Sequence, residues 1–256
     1  MVSLREVLSS IPFGVPQGSL LSPTLYNLFT ADVIKVDGVS YAFFADDTGY
    51  FVTHREPHVI IQKLQEAQDS IERFHRKWRI KINATKTQAV YFTRNRSPRL
   101  LPATEIRANG HRVPWCSEAK YLGLTFDSKL KFDKLINQSL VKCKRLIHSL
   151  YPLVKRRLSL QLHNKLLLYK DVFRAILTYG CPAWMNCAMT HRKRLQIQQN
   201  KLLKMIFNLN PWYPTDELHD IANMETLDEF VNRIGGKFLL SCQLSVNPLI
   251  EGILAT

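Results

Sequence analysis

Two adjacent aspartates, Asp46 and Asp47, lie between two short runs of β-branched and aromatic residues. Residues 39–45 (VSYAFFA) precede the pair and residues 48–53 (TGYFVT) follow it, a pattern that predicts a β-hairpin with both acids at its tip. Because the first run is apolar on both faces, we expect that strand to be buried in a sheet. Two neighbouring carboxylates destabilise each other's ionised forms, and a hard divalent cation removes that conflict. A simple Asx turn is the alternative.

The rest of the first half mixes helical and strand patterns. Ser22-Pro23 is typical of a helix start and predicts a helix from Pro23 to Ile34. The apolar spacing predicts a second helix from Glu56 to Trp78. Further strands are predicted at residues 79–82, 88–92 and 121–126, and a short hairpin at Asn109-Gly110.

After Lys129 the apolar spacing is helical almost to the end of the chain. Breaks are predicted near Pro152, near Pro182 and at residues 210–214 (NPWYP). The sequence therefore predicts an α+β fold, with an α+β domain over residues 1–128 and an all-α domain over residues 129–256.

Positive charge is concentrated in one part of this helical half. The whole chain carries 35 Lys+Arg against 21 Asp+Glu, whereas residues 129–204 carry 17 basic residues against only Asp133 and Asp171, a local net charge of +15. A single-sign field of this size favours an anionic polymer as partner over merely solvated helix faces. The candidate nucleic-acid-binding residues are Lys142, Lys144, Arg145, Lys155, Arg156, Arg157, Arg192, Lys193 and Arg194.

Membrane association is disfavoured by the pattern. The basic residues are spread over several predicted helices and do not face one broad apolar surface, and no window of about 18 apolar residues occurs. The first residues do not form a signal peptide. We therefore expect no membrane partner and an intracellular location, in the nucleus or the cytoplasm.

Five short motifs, in the expected order, resemble the reverse transcriptases of non-LTR retrotransposons, most closely the jockey-like clade. Residues 44–47 (FADD) resemble the family's F/Y-A-D-D palm hairpin, and residues 14–23 (GVPQGSLLSP) resemble its template and nucleotide loop. The other matches are residues 83–87 (NATKT), 121–125 (YLGLT) and 177–184 (LTYGCPAW). Any one of these could arise by chance, whereas five in order are a strong indication.

The resemblance implies an RNA-directed DNA polymerase that uses an RNA template, a DNA primer and dNTPs and transfers nucleotides with two divalent ions, Mg²⁺ or Mn²⁺. Residues 1–128 would be part of a polymerase palm, an antiparallel sheet with helices, and residues 129–256 a basic thumb-like region. Asp46 would be the principal metal ligand, Asp47 a supporting carboxylate, and Lys86 would neutralise or protonate the pyrophosphate. Template and nucleotide would contact Pro16, Gln17, Gly18 and Ser19. The primer end would contact Tyr121, Leu122 and Gly123.

The family's site also needs an aspartate on a strand that precedes the nucleotide loop. Only 13 residues precede Gly14, and their one acid, Glu6, matches no family motif. We therefore expect a truncated, catalytically incomplete polymerase region with weak metal binding, and an unpaired sheet edge beside the Asp46 hairpin. Two alternatives remain open. One is a non-catalytic remnant that binds nucleic acid through its basic helices, and the other is a subunit that needs a second polypeptide to complete the palm.

Overall fold

The computed structural model describes residues 18–80, 82–93, 105–155, 160–246 and 250. They form two compact units. The first unit contains the described residues up to Gln88 and from 105 to Pro114. The second unit contains those from Ala89 to 93 and from Trp115 onwards. The functional division at residue 128 stays a prediction, although the strands between residues 115 and 127 group with the helical unit.

Within its described part, the first unit begins with helix α1 (Ser22–Ala31), which has Pro23 in its first turn. The predicted helix is confirmed, but it ends three residues early, because Asp32 and Val33 donate their amides back to α1 carbonyls in a closing turn. Strands β1 (Ser40–Phe44) and β2 (Asp47–Phe51) form the predicted antiparallel hairpin.

Helix α2 (Pro57–Lys77) confirms the helix that the apolar spacing predicts, and it packs against this hairpin. A small core of Val33, Tyr41, Ala67, Ile71 and Phe74 joins the elements. The prediction of a fully buried first strand is wrong. Among the described residues β1 pairs only with β2, and Tyr41 is its single buried residue.

A second hairpin lies beside α2 in the first unit. Strands β4 (Arg107–Ala108) and β5 (His111–Arg112) are joined by Asn109-Gly110, both with positive φ (47° and 78°), which confirms the predicted tight turn. The Gln65 side chain fixes this hairpin, since its Oε1 accepts from the Arg107 amide at 2.8 Å and its Nε2 donates to the Arg107 carbonyl at 3.0 Å. The sequence predicted a strand at residues 79–82. This is wrong for the residues of that range that the structure describes, because Arg79, with φ 57°, closes the end of α2.

The second unit opens with short strands. Strand β3 (Ala89–Val90) pairs in parallel with β6 (Trp115–Cys116), and β7 (Glu118–Tyr121) pairs antiparallel with β8 (Leu124–Asp127). The single strand predicted over residues 121–126 is wrong. Leu122 and Gly123 both have positive φ (47° and 79°) and form a two-residue turn that reverses the chain.

Helices make up the rest of the second unit. Their bounds are α3 (Asp133–Lys155), α4 (Leu162–Leu168), a π-helical segment (Tyr169–Arg174), α5 (Ala175–Thr178), α6 (Cys181–Trp184), α7 (Met189–Ile206), α8 (Thr215–Ala222) and α9 (Leu227–Gln243). The break predicted near Pro152 falls three residues later, since α3 continues through that residue and ends at Lys155, and the breaks at Pro182 and at residues 210–214 are confirmed. The largest side chains of the core include Tyr169, Phe173, Leu195 and Trp184, all 2% exposed or less.

The architecture is thus mixed helix and strand, in agreement with the predicted α+β class. None of the helices in the described ranges combines the length and the apolar character needed to cross a bilayer.

Candidate active site and nucleic-acid interface

The two aspartates stand at the exposed end of the β1–β2 hairpin. Phe44 pairs with Asp47 across the hairpin, so Ala45 and Asp46 form a two-residue turn with Ala45 at φ 49°. Asp46 is the last turn residue, Asp47 is the first residue of β2, and both are exposed. The turn therefore presents two carboxylates to solvent on a short, fixed segment of backbone.

Tyr26, on α1, anchors this tip. Its hydroxyl donates a hydrogen bond to the Ala45 carbonyl. Burial, with a smaller contribution from the nearby Asp46 carboxylate, raises the pKa of Tyr26, which keeps the phenol protonated as a donor. Sequence reasoning missed Tyr26, because its spacing marks only a helical residue and its contact lies 19 positions away.

The two carboxylates fit a magnesium-type ligand set. Mg²⁺ is commonly held by one or two carboxylates, with water and substrate phosphates completing the shell. Within the described residues, no group of three or more His, Cys, Asp or Glu side chains comes together. Asp46 and Asp47 supply two carboxylates, the hard oxygen donors that such an ion takes.

The structure describes three of the other residues predicted around the nucleotide, Gly18, Ser19 and Lys86. Gly18, with φ 84° and open space around it, precedes α1, and the Ser19 hydroxyl accepts from the Leu21 amide at 3.3 Å. Lys86 ends a 3₁₀ turn (Ala84–Lys86) and is exposed. Among the described residues it forms no hydrogen bond or ion pair with either aspartate. Pro16 and Gln17 lie outside the described residues.

The hairpin of Tyr121, Leu122 and Gly123 is supported by the stretch that follows α5. The Tyr179 hydroxyl donates to the Leu122 carbonyl at 2.9 Å, and Trp184 Nε1 donates to the Tyr179 carbonyl at 3.0 Å. Gly180, at φ 62°, lets the chain pass so near β8 that an added Cβ would lie 2.7 Å from a Leu124 methyl carbon. Two of the sequence motifs thus meet, which their separation along the chain did not reveal.

Part of the predicted basic surface is exposed on two helices of the second unit. Lys142, Lys144 and Arg145 are exposed on α3, and Lys193 is exposed on α7. Lys142 and Arg145 line an open groove of about 430 Å³ along α3. Arg156, Arg157 and the Lys155 side chain lie outside the described residues.

Two of the predicted nucleic-acid-binding arginines instead join elements of the fold. Arg192 is 13% exposed, and its Nε lies 2.5 Å from Asp228 Oδ1, while a guanidinium nitrogen donates to Asn232 Oδ1 at 2.6 Å. Arg194 lies 2.9 Å from the Asp133 carboxylate. That they contact nucleic acid stays a prediction, but their charges are already paired within the protein.

Comparison with known proteins gives a consistent result. A family described as "Reverse transcriptase (RNA-dependent DNA polymerase)" matches residues 9–126. The probable RNA-directed DNA polymerase from transposon X-element of Drosophila melanogaster is 30% identical over 90% of this chain and 25% of its own length. The RNA-directed DNA polymerase from mobile element jockey of the same species is 30% identical over 95% of this chain and 27% of its own length. No solved structure matches.

The chain spans about a quarter of the length of these curated relatives. The matched segment includes the aspartate hairpin, the Lys86 turn and all of the β7–β8 hairpin except Asp127. The chain therefore contains a reverse transcriptase domain, at residues 9–126, and is a relative of the RNA-directed DNA polymerases of non-LTR retrotransposons.

Proposed function

We propose that this chain supplies the Asp46–Asp47 site and a template–primer-binding surface of an RNA-directed DNA polymerase, with an RNA template, a DNA primer and dNTPs as its substrates. The observation that carries the proposal is the exposed pair of carboxylates at the two-residue turn of the β1–β2 hairpin, inside the segment that matches the reverse transcriptase family.

In this proposal Asp46 and Asp47 hold Mg²⁺ or Mn²⁺. Such ions, when bound, stabilise the charge that develops as the primer 3′-hydroxyl attacks the triphosphate. Tyr26 keeps the hairpin tip in place through the Ala45 carbonyl. Lys86, whose exposed ammonium is a compact and flexible charge, neutralises the departing pyrophosphate.

The nucleic-acid part of the proposal rests on the second unit. Lys142, Lys144 and Arg145 contact backbone phosphates along α3, and Lys193 extends this surface on α7. The Leu122-Gly123 turn, supported by Tyr179, contacts the primer end. This surface contributes affinity without base specificity, since the bonds are to phosphates.

Primer extension tests the catalytic part. The chain is assayed on poly(rA)/oligo(dT) with Mg²⁺ or Mn²⁺ beside an Asp46→Ala, Asp47→Ala variant and a matched Asp32→Ala, Asp37→Ala control, which removes two other exposed acids. Extension that persists in the control and vanishes in the Asp46, Asp47 variant supports the proposal. It would also overturn the prediction of a catalytically incomplete region. Extension at the same rate by all three proteins would refute the assignment of the two aspartates.

A second candidate function is nucleic-acid binding without catalysis, which the exposed cations of α3 favour. Replacing Lys142, Lys144 and Arg145 by alanine should reduce the slope of log affinity against log salt by about 3 for duplex, near 0.9 for each phosphate contact. A control variant with alanine at the exposed Lys35, Arg55 and Lys237 has the same net charge. Salt-sensitive duplex binding with no primer extension would favour this second function. Equal salt slopes for the α3 variant and the control variant would exclude the α3 surface from nucleic-acid binding under both candidate functions.

A further inference from the structure

A cleft of about 410 Å³ lies in the first unit, at the end of α2 that is opposite its start at Pro57. Its walls come from the C-terminal end of α2, from Ile80 and Ile82 after it, and from the β4–β5 hairpin. The C-terminal end of α2 contributes His75, Arg76 and Arg79, and the β4–β5 hairpin contributes Asn109 and His111. The cleft contains no residue of the aspartate hairpin or of the α3 surface.

The cleft has an excess of positive charge. Its one acidic residue, Glu72, is already used by the fold, since Oε1 accepts from the Asn109 amide at 2.5 Å and from the Gln68 side-chain amide at 2.9 Å. Arg76 and Arg79 are exposed, and neither forms an ion pair with a residue that the structure describes. Two guanidinium groups therefore line the cleft against one carboxylate, and neither is in an ion pair with it.

Arg79 occupies a position that normally favours glycine. The Ile80 amide donates to the His75 carbonyl at 2.8 Å and the Arg79 amide donates to the Arg76 carbonyl at 3.1 Å, the two bonds of a Schellman helix end. In that motif the residue in the Arg79 position is left-handed, and here its φ is 57°. A side chain with a Cβ is less stable there than glycine, so the guanidinium is present at a cost in stability.

A structural explanation accounts for only part of this arrangement. Cations near the end of a helix stabilise its dipole, which suffices for Arg76. It does not explain why a long side chain occupies a left-handed position next to the last turn. It also does not explain His111, which reaches the same cleft from another element.

We propose that this cleft binds a backbone phosphate of the nucleic-acid strand, with Arg79 and Arg76 as the phosphate ligands. Guanidinium groups bind phosphate oxygens through paired, charge-assisted hydrogen bonds, and a phosphodiester matches the charge of the cleft. The inference rests on the proposed function, because it gives the first unit its own contact with the strand. A free triphosphate presents the same chemistry and is distinguished by the test.

The variant Arg79→Gly separates binding from folding. It should raise the Tm of the first unit by a few degrees, because it relieves the left-handed strain. It should also lower the affinity for template–primer about tenfold at low salt and reduce the salt slope by about 1. Asn223→Gly is the matched control, since Asn223 is left-handed after α8 (φ 44°) and carries no charge. It should leave binding unchanged.

The outcomes are distinguishable. Wild-type affinity and slope in Arg79→Gly, with loss in the Lys142, Lys144, Arg145 variant, would overturn the cleft assignment and leave the proposed function standing. Wild-type binding in both variants would overturn the cleft assignment and the α3 part of the proposed function. Loss of affinity for a free dNTP, measured without nucleic acid, together with unchanged template–primer binding, would assign the cleft to the nucleotide and overturn the strand-backbone proposal.

Discussion

Arg192→Ala is predicted to unfold the second unit more easily. The Arg192 guanidinium lies in an ion pair with Asp228 and donates to the Met185 carbonyl at 3.1 Å and to Asn232 Oδ1 at 2.6 Å. These bonds connect α7 with the end of α6 and with α9. Breaking a buried ion pair costs about 3 to 5 kcal/mol. Because the Asp228 side chain is 40% exposed and regains water in the variant, we expect a loss of about 2 to 3 kcal/mol.

Thermal and urea unfolding measure this loss directly. For a unit of this size the Tm should fall by roughly 5 to 10 °C. Lys193→Ala is the matched control, because Lys193 is the next residue along α7 and is exposed. It should unfold like the wild type and bind nucleic acid more weakly. An Arg192→Ala protein with wild-type Tm would refute the structural role, and reduced duplex affinity at that Tm would return Arg192 to the nucleic-acid-binding surface.

Three further predictions concern stability. Gly236→Ala, where an added Cβ would have nothing within 4 Å, should stabilise α9 by about 0.5 to 1 kcal/mol. Gly235→Ala, whose Cβ would overlap the Met185 sulfur, should destabilise α9 by about 1 to 3 kcal/mol. Urea unfolding that ranks the two variants in the reverse order would contradict this packing. Burial alone would raise the pKa of Asp127, but several backbone amide donors hold its pKa below the ordinary value. The ionised Asp127 carboxylate therefore stabilises the folded state above about pH 4, and this contribution is lost as the pH falls through the folded-state pKa. The difference in unfolding free energy between the wild type and Asp127→Asn should therefore shrink in acid, and a difference independent of pH would count against those bonds. Tyr179→Phe removes the bond to the β7–β8 turn and should cost about 0.5 to 1 kcal/mol in urea unfolding, while an unchanged midpoint would show that the bond contributes nothing.

The local part of the fold could be predicted from the sequence. The hairpin that carries Asp46 and Asp47 follows from two strand-forming runs on either side of a turn pair, and α2 follows from its apolar spacing. The Asn109-Gly110 turn carries the strongest short hairpin signal. These features depend on residues within a few positions of one another, so the chain shows them directly.

The contacts that position the candidate site could not be predicted in this way. Tyr26 reaches Ala45, Tyr179 reaches Leu122 and Arg192 reaches Asp228 only after the chain has folded. The turn at Leu122 was missed because a left-handed leucine is rare and gives no turn signal. The pairing of Arg192 and Arg194 with acids of the fold could not be predicted for the same reason, since the sequence shows charge but not the partner that neutralises it.

The binding of Mn²⁺ to the chain, followed by electron paramagnetic resonance in the presence of a dNTP, tests the central claim most directly. We predict that the wild type and the Asp32→Ala, Asp37→Ala control bind Mn²⁺ with equal affinity and that the Asp46→Ala, Asp47→Ala variant loses that site while it still binds duplex. Equal Mn²⁺ binding by all three proteins would contradict the account, because the metal would then be held by residues other than the aspartate hairpin.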